Sequence, residues 1–224
     1  MPTRHLVIGA GEVGTALHTV LNTRDVCEIR DVDPIDYRAD VIHIAFPWSD
    51  AFVEHVQRYA AEHGAELVVV HSTVPVGTCD ANGWVHSPVR GRHPNLVGGL
   101  RKFVKHFGGL GAHEAALHWP GWSRVHTFAR DTEAGKIWEL IQYGVQIRVE
   151  KAIHAWCAEN NVDFDIVYTE FADTYNDGYT QLGEYDFVRP VLKHMPGPIG
   201  GHCVVQNASM IDHPLARIVT DGFG

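Results

Sequence analysis

Six residues near the N-terminus, Gly9-Ala10-Gly11-Glu12-Val13-Gly14, carry the most specific chemical signal in the chain. They follow a short apolar run, His5–Ile8, and open a stretch with helical spacing, Val13–Leu21. In that setting Gly9 permits a tight turn, Gly11 lets backbone approach a pyrophosphate, and Gly14 lets helix and strand pack closely. Glu12 and Val13 belong to the same turn, and the helix start offers N–H groups to phosphate oxygens. A carboxylate is expected about 20 residues further on, at the end of the second strand, to accept from ribose hydroxyls. Asp31, in Ile29-Arg30-Asp31-Val32-Asp33, stands there. It favours NAD over NADP because it repels a 2′-phosphate. Arg30 can soften that preference, and Asp33 is the alternative ribose ligand.

The elements that must position this turn alternate. Val26–Val32 reads as a second strand and Val41–Ala45 as a third. Ala51–His63 reads as a helix and Glu66–His71 as a β-rich run ahead of Pro75-Val76-Gly77. Strand and helix in alternation predict a parallel sheet covered by helices. The stretch between Asp31 and Asp40 is too short for a full crossover helix. Val85–Gly111 reads as loops around short strands, and Arg101, Lys102 and Lys105 as a solvated helix face. Beyond it, Ile137, Leu140, Ile141, Val145, Val149, Ile153 and Trp156 recur at three and four. They mark one helix from Thr132 to Asn160, roughly 30 residues and ~45 Å long. Its stripe is longer than a small domain covers, so a second chain is expected on part of it. Phe164–Tyr175 and Tyr185–His194 read as further helices, with Tyr175-Asn176-Asp177-Gly178-Tyr179 as a loop. The fold class is thus α/β: a Rossmann domain over residues 1–130, then an all-α dimerisation domain over 131–224.

Ser72-Thr73-Val74-Pro75-Val76-Gly77-Thr78 resembles the STVPVGT segment of the UDP-glucose/GDP-mannose dehydrogenase family. Pro198-Ile199-Gly200-Gly201-His202-Cys203 resembles its GGHC or GGSC loop, and Thr132-Glu133-Ala134-Gly135-Lys136 its E-x-x-K segment. The three motifs lie in the family's order over most of the chain. The resemblance implies a truncated member, without the second nucleotide-type domain that holds the sugar nucleotide. Pro47, Ser72 and Thr73 then complete the cofactor set with Gly9, Gly11, Glu12, Val13, Gly14 and Asp31. In that family a thiolate attacks the aldehyde made by a first hydride transfer, and a thioester is later hydrolysed. The resemblance makes Cys203 the nucleophile, a group suited to the task near neutral pH. It makes Lys136 the cation that stabilises the oxyanion. Cys27, Cys79 and Cys157 lack such a setting and read as structural.

This sequence departs from the family at three places. Val89 stands where the family has a glutamate, Leu140 where it has asparagine, and Asn207 where it has aspartate near the cysteine. The resemblance still assigns Asn207 to the catalytic residues; without the glutamate and the aspartate, either the chemistry stops at one hydride transfer or another residue serves as base. His93 and His202 are the candidate replacement bases. Arg90, Arg92, His93 and His202 form the expected substrate set, since guanidinium forks suit carboxylate or phosphate.

Composition bounds the reading. Apolar residues make up 45% and charged residues 20%, which supports a packed globular core. A formal net charge of −9 argues against nucleic acid or anionic membrane as partner. The four cysteines are widely spaced and the N-terminus carries no secretory pattern, so a cytoplasmic protein is expected. Sixteen histidines include no HxxxH or HExxH pair, so no metal is expected. The leading expectation is an NAD-dependent dehydrogenase of a small or anionic alcohol or aldehyde, acting as a homodimer. Its rivals are a two-electron reductase with a structural Cys203 and a non-catalytic NAD-binding protein.

Overall fold

The computed structural model describes residues 3–199 and 202–222, with only the backbone described at His202. The chain divides into two compact units, Met1–Lys136 and Ile137–Gly224. The first unit is an α/β Rossmann-like fold. Its strands are β1 (Arg4–Ile8), β2 (Val26–Arg30), β3 (Val41–Ile44), β4 (Leu67–Val70), β5 (Val85–His86), β6 (Lys105–Gly108) and β7 (Ser123–His126). They lie in the order β2-β1-β3-β4-β5-β6-β7. All pairings are parallel except β5 with β6. The helices between them are α1 (Glu12–Leu21), α2 (Phe52–His63), α3 (Thr78–Asn82), α4 (Leu96–Lys102) and α5 (Ala112–Leu117). Residues 31–40 connect β2 to β3 without a helix, as their length requires.

Side chains alternate across the pleat, so each central strand feeds two cores. Val7, Val41, Val69 and Val85 pack with Leu17 and Val20 of α1 and Leu100 of α4. Leu6, Ile8, Ile42, Ile44, Val68 and Val70 pack with Phe52 and Val56 of α2 on the other face. Burial on both faces explains why β3 and β4 read as nearly continuous apolar runs.

A helix of 31 residues, α6 (Ala129–Glu159), leads from the first unit into the second. In the second unit a π-helical stretch, Asp165–Glu170, runs directly into α7 (Phe171–Leu182). Two short helices, α8 (His202–Ala208) and α9 (Pro214–Asp221), follow. Ile137, Ile141, Ile199, Val204, Ala208, Ala216 and Val219 form its core. Among the described residues no helix is long and apolar enough to cross a membrane.

Two expectations for this unit fail. Tyr175–Tyr179 lies inside α7 rather than in a loop, because the Asn176 amide is engaged elsewhere. Its Nδ2 donates to the Arg189 carbonyl at 2.8 Å, and its Oδ1 accepts from the Arg189 N–H at 2.8 Å. Gly178 is tolerated at roughly 1 kcal/mol relative to alanine. The expected helix over Tyr185–His194 is only a 3-10 turn, Tyr185–Phe187. Pro190 has no N–H to give a helix and biases Arg189 toward extended backbone.

Candidate functional site

The glycine turn leaves the C-terminal end of β1 beside the point where strand order reverses between β2 and β3. Gly9 has φ +104°, and its N–H donates to the Arg30 carbonyl at 2.8 Å. A Cβ on Gly9 would meet the Ala45 backbone at 3.0 Å, and one on Gly14 would lie 1.7 Å from the Gly9 carbonyl oxygen. Both positions therefore exclude any side chain. A Cβ on Gly11 would meet nothing within 4 Å. Gly11 is also the cap of α1, which has no side chain bonded to its first N–H groups. This cradle of close backbone and unused helix donors fits a dinucleotide pyrophosphate.

Asp31 follows β2, and its Oδ1 lies 3.5 Å from the Ala10 N–H, at the edge of hydrogen-bonding reach. The carboxylate is exposed beside the turn. Arg30 turns the other way. Its guanidinium donates to Glu62 at 2.7 Å, lies 2.8 Å from His63 Nε2, and sits over the Tyr59 ring. It is consumed by the interior and does not face the ribose side. Glu12, in the first turn of α1, pairs with His93 Nδ1 at 2.5 Å, and this brings the loop of Arg90, Arg92 and His93 to the glycine turn.

The ends of β3, β4 and β5 carry the next residues. Pro47 is exposed beyond β3. The Ser72 hydroxyl donates to the Phe46 carbonyl at 2.5 Å and ties the β4 end to the β3 end. Thr73 is half-buried beside it, and Val13 is half-buried on α1. Arg90 lies over the Phe103 ring at 5.7 Å, while Arg92 is exposed. Val89 is a core residue packed with Leu96 and Leu100, so its position holds no base.

The start of α6 is bonded into this strand-end region. Thr132 Oγ1 lies 2.8 Å from His86 Nδ1. Burial, with Lys105 and Lys136 nearby, pushes His86 down to about 3. Lys136 thus stands within charge range of both His86 and Lys105. Burial in the first place, and Lys136 in the second, hold Lys105 well below its ordinary value.

Lys105 departs from the solvated helix face expected of it. It opens β6 and is buried, with Nζ donating to the Ser87 and Pro88 carbonyls at 2.5 and 2.8 Å. Only Arg101 and Lys102 form the exposed face expected for that stretch. A buried line of imidazoles, His5, His43 and His71, lies in the same unit and was not expected from the sequence. Its signal was one histidine in or directly after each of three apolar strands.

In the second unit Cys203 and Asn207 sit one turn apart on α8, exposed and half-buried respectively. Leu140 packs against that unit's core. The His202 side chain, Gly200 and Gly201 lie outside the described residues. Cys27, Cys79 and Cys157 are buried free thiols, as expected of structural cysteines.

No protein-family model matches the sequence, and no curated protein matches it. Solved structures match the fold. UDP-D-ManNAc dehydrogenase from Pyrococcus horikoshii superposes with TM-score 0.77 at 19% identity, over 97% of this chain and 67% of that one. 3-Hydroxyisobutyrate dehydrogenase from Mycobacterium tuberculosis gives 0.66 at 16% identity, over 99% of this chain and 92% of that one. Psf3 in complex with NADP+ and 2-OPP gives 0.59 at 11% identity, over 96% of this chain and 91% of that one. This chain therefore spans about two thirds of the first and most of the other two. At these identities the likeness defines the fold, a Rossmann-like domain followed by helices.

Proposed function

We propose that this chain binds NAD and acts as a dehydrogenase on a CH–OH group of a small anionic substrate, as a cytoplasmic homodimer. The observation that carries the reading is the placement of Asp31 beside the glycine turn, with Arg30 turned into the interior. When bound, the nicotinamide supplies the two-electron acceptor. Asp31 accepts from the adenosine ribose hydroxyls and disfavours a 2′-phosphate. Gly11 and the first N–H groups of α1 receive the pyrophosphate. Glu12, Val13, Pro47, Ser72 and Thr73 line the path from there along the strand ends.

Arg90, Arg92, His93 and His202 supply the positive and titratable groups that hold an anionic substrate. Lys136 is the fixed cation for developing negative charge. Cys203 is the nucleophile that the family resemblance assigns, with Asn207 on the same helix face. Four free cysteines fit a reducing compartment. The dimer reading is supported by α6, whose apolar stripe is buried at Ile137 and Ile141 but exposed at Val149 and Trp156.

A second reading is favoured by the burial of Val89 at the family's glutamate position. With no base there to hydrolyse a thioester, the reaction ends after one two-electron step and Cys203 does not react. The match along 92% of a 3-hydroxyisobutyrate dehydrogenase supports the same limit. The test is to titrate NADH and NADPH by fluorescence, then to follow NADH formation over a panel of small hydroxy acids and alcohols. Tighter binding of NADH with turnover of an anionic alcohol is expected. Failure to bind either dinucleotide, or equal affinity for both, overturns the cofactor assignment.

A further inference from the structure

A second constellation starts at the opposite end of the sheet from the glycine turn. His5 of β1, His43 of β3 and His71, directly after β4, share the sheet face covered by α1 and α4. The strand register offsets each from the last by two residues, so they climb diagonally across the sheet. His5 Nδ1 lies 2.9 Å from His43 Nε2, and His43 Nδ1 lies 3.0 Å from His71 Nε2. The line ends where His71 Nδ1 meets the Ser87 carbonyl oxygen at 2.7 Å.

With the His71 proton on Nδ1, facing that carbonyl, every bond in the line runs one way. His71 Nε2 then accepts from His43 Nδ1. By the same step His43 Nε2 accepts from His5 Nδ1. Lys105 Nζ lies 3.1 Å from the same His71 Nδ1 and donates to the Ser87 and Pro88 carbonyls. The consequence appears at the far end. Neutral His5 is left with a bare lone pair on Nε2.

His5 is fully buried, and its Nε2 has no hydrogen-bond partner. It points at the Asp25 carboxylate, whose Oδ2 lies 3.5 Å away. His118, just after α5, brings its Nδ1 to 3.6 Å from the same oxygen. The three donor atoms lie within 4.8 Å of one another. In that tautomer the Nε2 lone pair faces the carboxylate with no hydrogen between them, an arrangement that a cation between the two relieves. Zinc bonds of about 2.0–2.2 Å to imidazole nitrogen and carboxylate oxygen give tetrahedral edges of about 3.3–3.6 Å. The two contacts to Asp25 are within a few tenths of an ångström of that spacing.

We propose that His5 Nε2, Asp25 Oδ2 and His118 Nδ1 bind one divalent transition-metal ion, zinc foremost, with the fourth position left to water. The donors come from β1, the residue before β2 and the turn after α5, so the ion would clip three segments together. His43 is the supporting group that fixes the His5 tautomer and ring orientation. The Asp25 and His118 side chains are 15% and 23% exposed, which gives the ion a route in from solvent. Their separation along the chain explains why no spacing motif announces the site.

The test titrates Zn2+ alone into full-length protein that has been stripped with chelator and desalted, by calorimetry. One equivalent is expected to bind. Asp25→Ala and His118→Ala, at partly exposed positions, should each weaken it by more than the roughly 10–100-fold that loss of a supporting group costs. His126→Ala, elsewhere in the same unit, should leave it unchanged. Co2+ in place of Zn2+ should show the intense visible bands of a tetrahedral ion, and X-ray absorption should count two imidazoles. Absence of Zn2+ binding, full binding in both ligand variants, or a different imidazole count overturns the proposal. The readout is metal binding alone, so it is independent of whether the protein proves to be a dehydrogenase.

Discussion

Asp80 and Glu133 cap each other's helices. The Asp80 carboxylate accepts from the Ala129 and Arg130 N–H groups at 2.8 and 3.1 Å, at the start of α6. The Glu133 carboxylate accepts from the Gly77 and Cys79 N–H groups at 2.6 and 2.8 Å, at the start of α3. The turn that follows β4 and the first turns of α6 are thereby locked as one piece. Ser72, Thr73 and Lys136 all depend on that lock for their positions. Glu133 also explains its own burial, since four orphan donors at each helix start need acceptors.

Glu133→Ala leaves two N–H groups without their partner, one of them in the buried Cys79, and should destabilise the protein by about 2–4 kcal/mol. Asp80→Ala removes a more accessible cap and should cost about 1 kcal/mol. Urea unfolding of the single and double variants checks both values. Because the two carboxylates act on one junction, the double variant should fall short of the sum.

The glycine turn separates fold from binding. Gly14→Ala places a methyl group 1.7 Å from the Gly9 carbonyl oxygen, so it should lower both thermal stability and NADH affinity. Gly11→Ala meets nothing in the protein and should leave the melting temperature nearly unchanged. It should still weaken NADH by about tenfold or more, the equivalent of roughly 1.4 kcal/mol, because the methyl intrudes on the pyrophosphate. Asp31→Ala should weaken NADH and narrow its advantage over NADPH. Fluorescence titration beside thermal melts distinguishes the three.

Much of this turn was legible in advance, and the reason is chemical. Gly9, Gly11, Gly14 and Asp31 lie on one strand–helix–strand unit, so their spacing along the chain is also their spacing in space. The same locality made α6 readable, from a single apolar stripe. Lys105 was not readable, because three basic residues within five positions look like one surface whether or not a strand begins among them. Nor was the reach from Asp80 to α6, or the meeting of His5, Asp25 and His118, for these contacts close loops of tens of residues. The expected helix over Tyr185–His194 failed because one proline outweighed an apolar pattern.

Acid should unfold the protein early. Burial holds His71 well below its ordinary value, with Lys105 and His43 adding to the effect. His86 is pushed down to about 3, again chiefly by burial. Both therefore stay neutral when folded, while the unfolded chain takes up their protons near pH 6.5. Their contribution is fully present above that value and is lost as pH falls toward and through the folded values. Each adds a slope of about 1.4 kcal/mol per pH unit in that window. Stability from urea unfolding at pH 7, 6 and 5 should fall accordingly. In His86→Asn the slope should drop by one proton's worth, whatever the variant's absolute stability.

Assembly is tested at the exposed half of the α6 stripe. If a second copy covers Val149 and Trp156, light scattering at micromolar concentration should give twice the chain mass. Val149→Glu should then shift the protein to monomer with its secondary structure intact. Because Val149 is already exposed within the chain, a folding defect without a change in mass would count against the dimer.

Cys203 decides between the two readings of the chemistry. It is exposed at the start of α8, whereas Cys27, Cys79 and Cys157 are buried. Burial drives the Cys27 thiol up to about 12 and pushes Cys79 higher still, so neither offers thiolate near neutrality. Iodoacetamide should therefore label Cys203 ahead of the other three, on exposure alone. That rate by itself says nothing about catalysis, and bound NAD supplies the discriminating arm. A nucleophile at the reacting centre should be protected or accelerated severalfold by NAD, while a remote surface thiol should not respond. With Val89 in place of a base, any thioester on Cys203 should hydrolyse slowly and accumulate as an adduct visible by mass spectrometry. In Cys203→Ser, turnover should fall by orders of magnitude if the thiol is covalent. Unchanged turnover in that variant, with no adduct in the parent, would leave the single two-electron oxidation as the reaction.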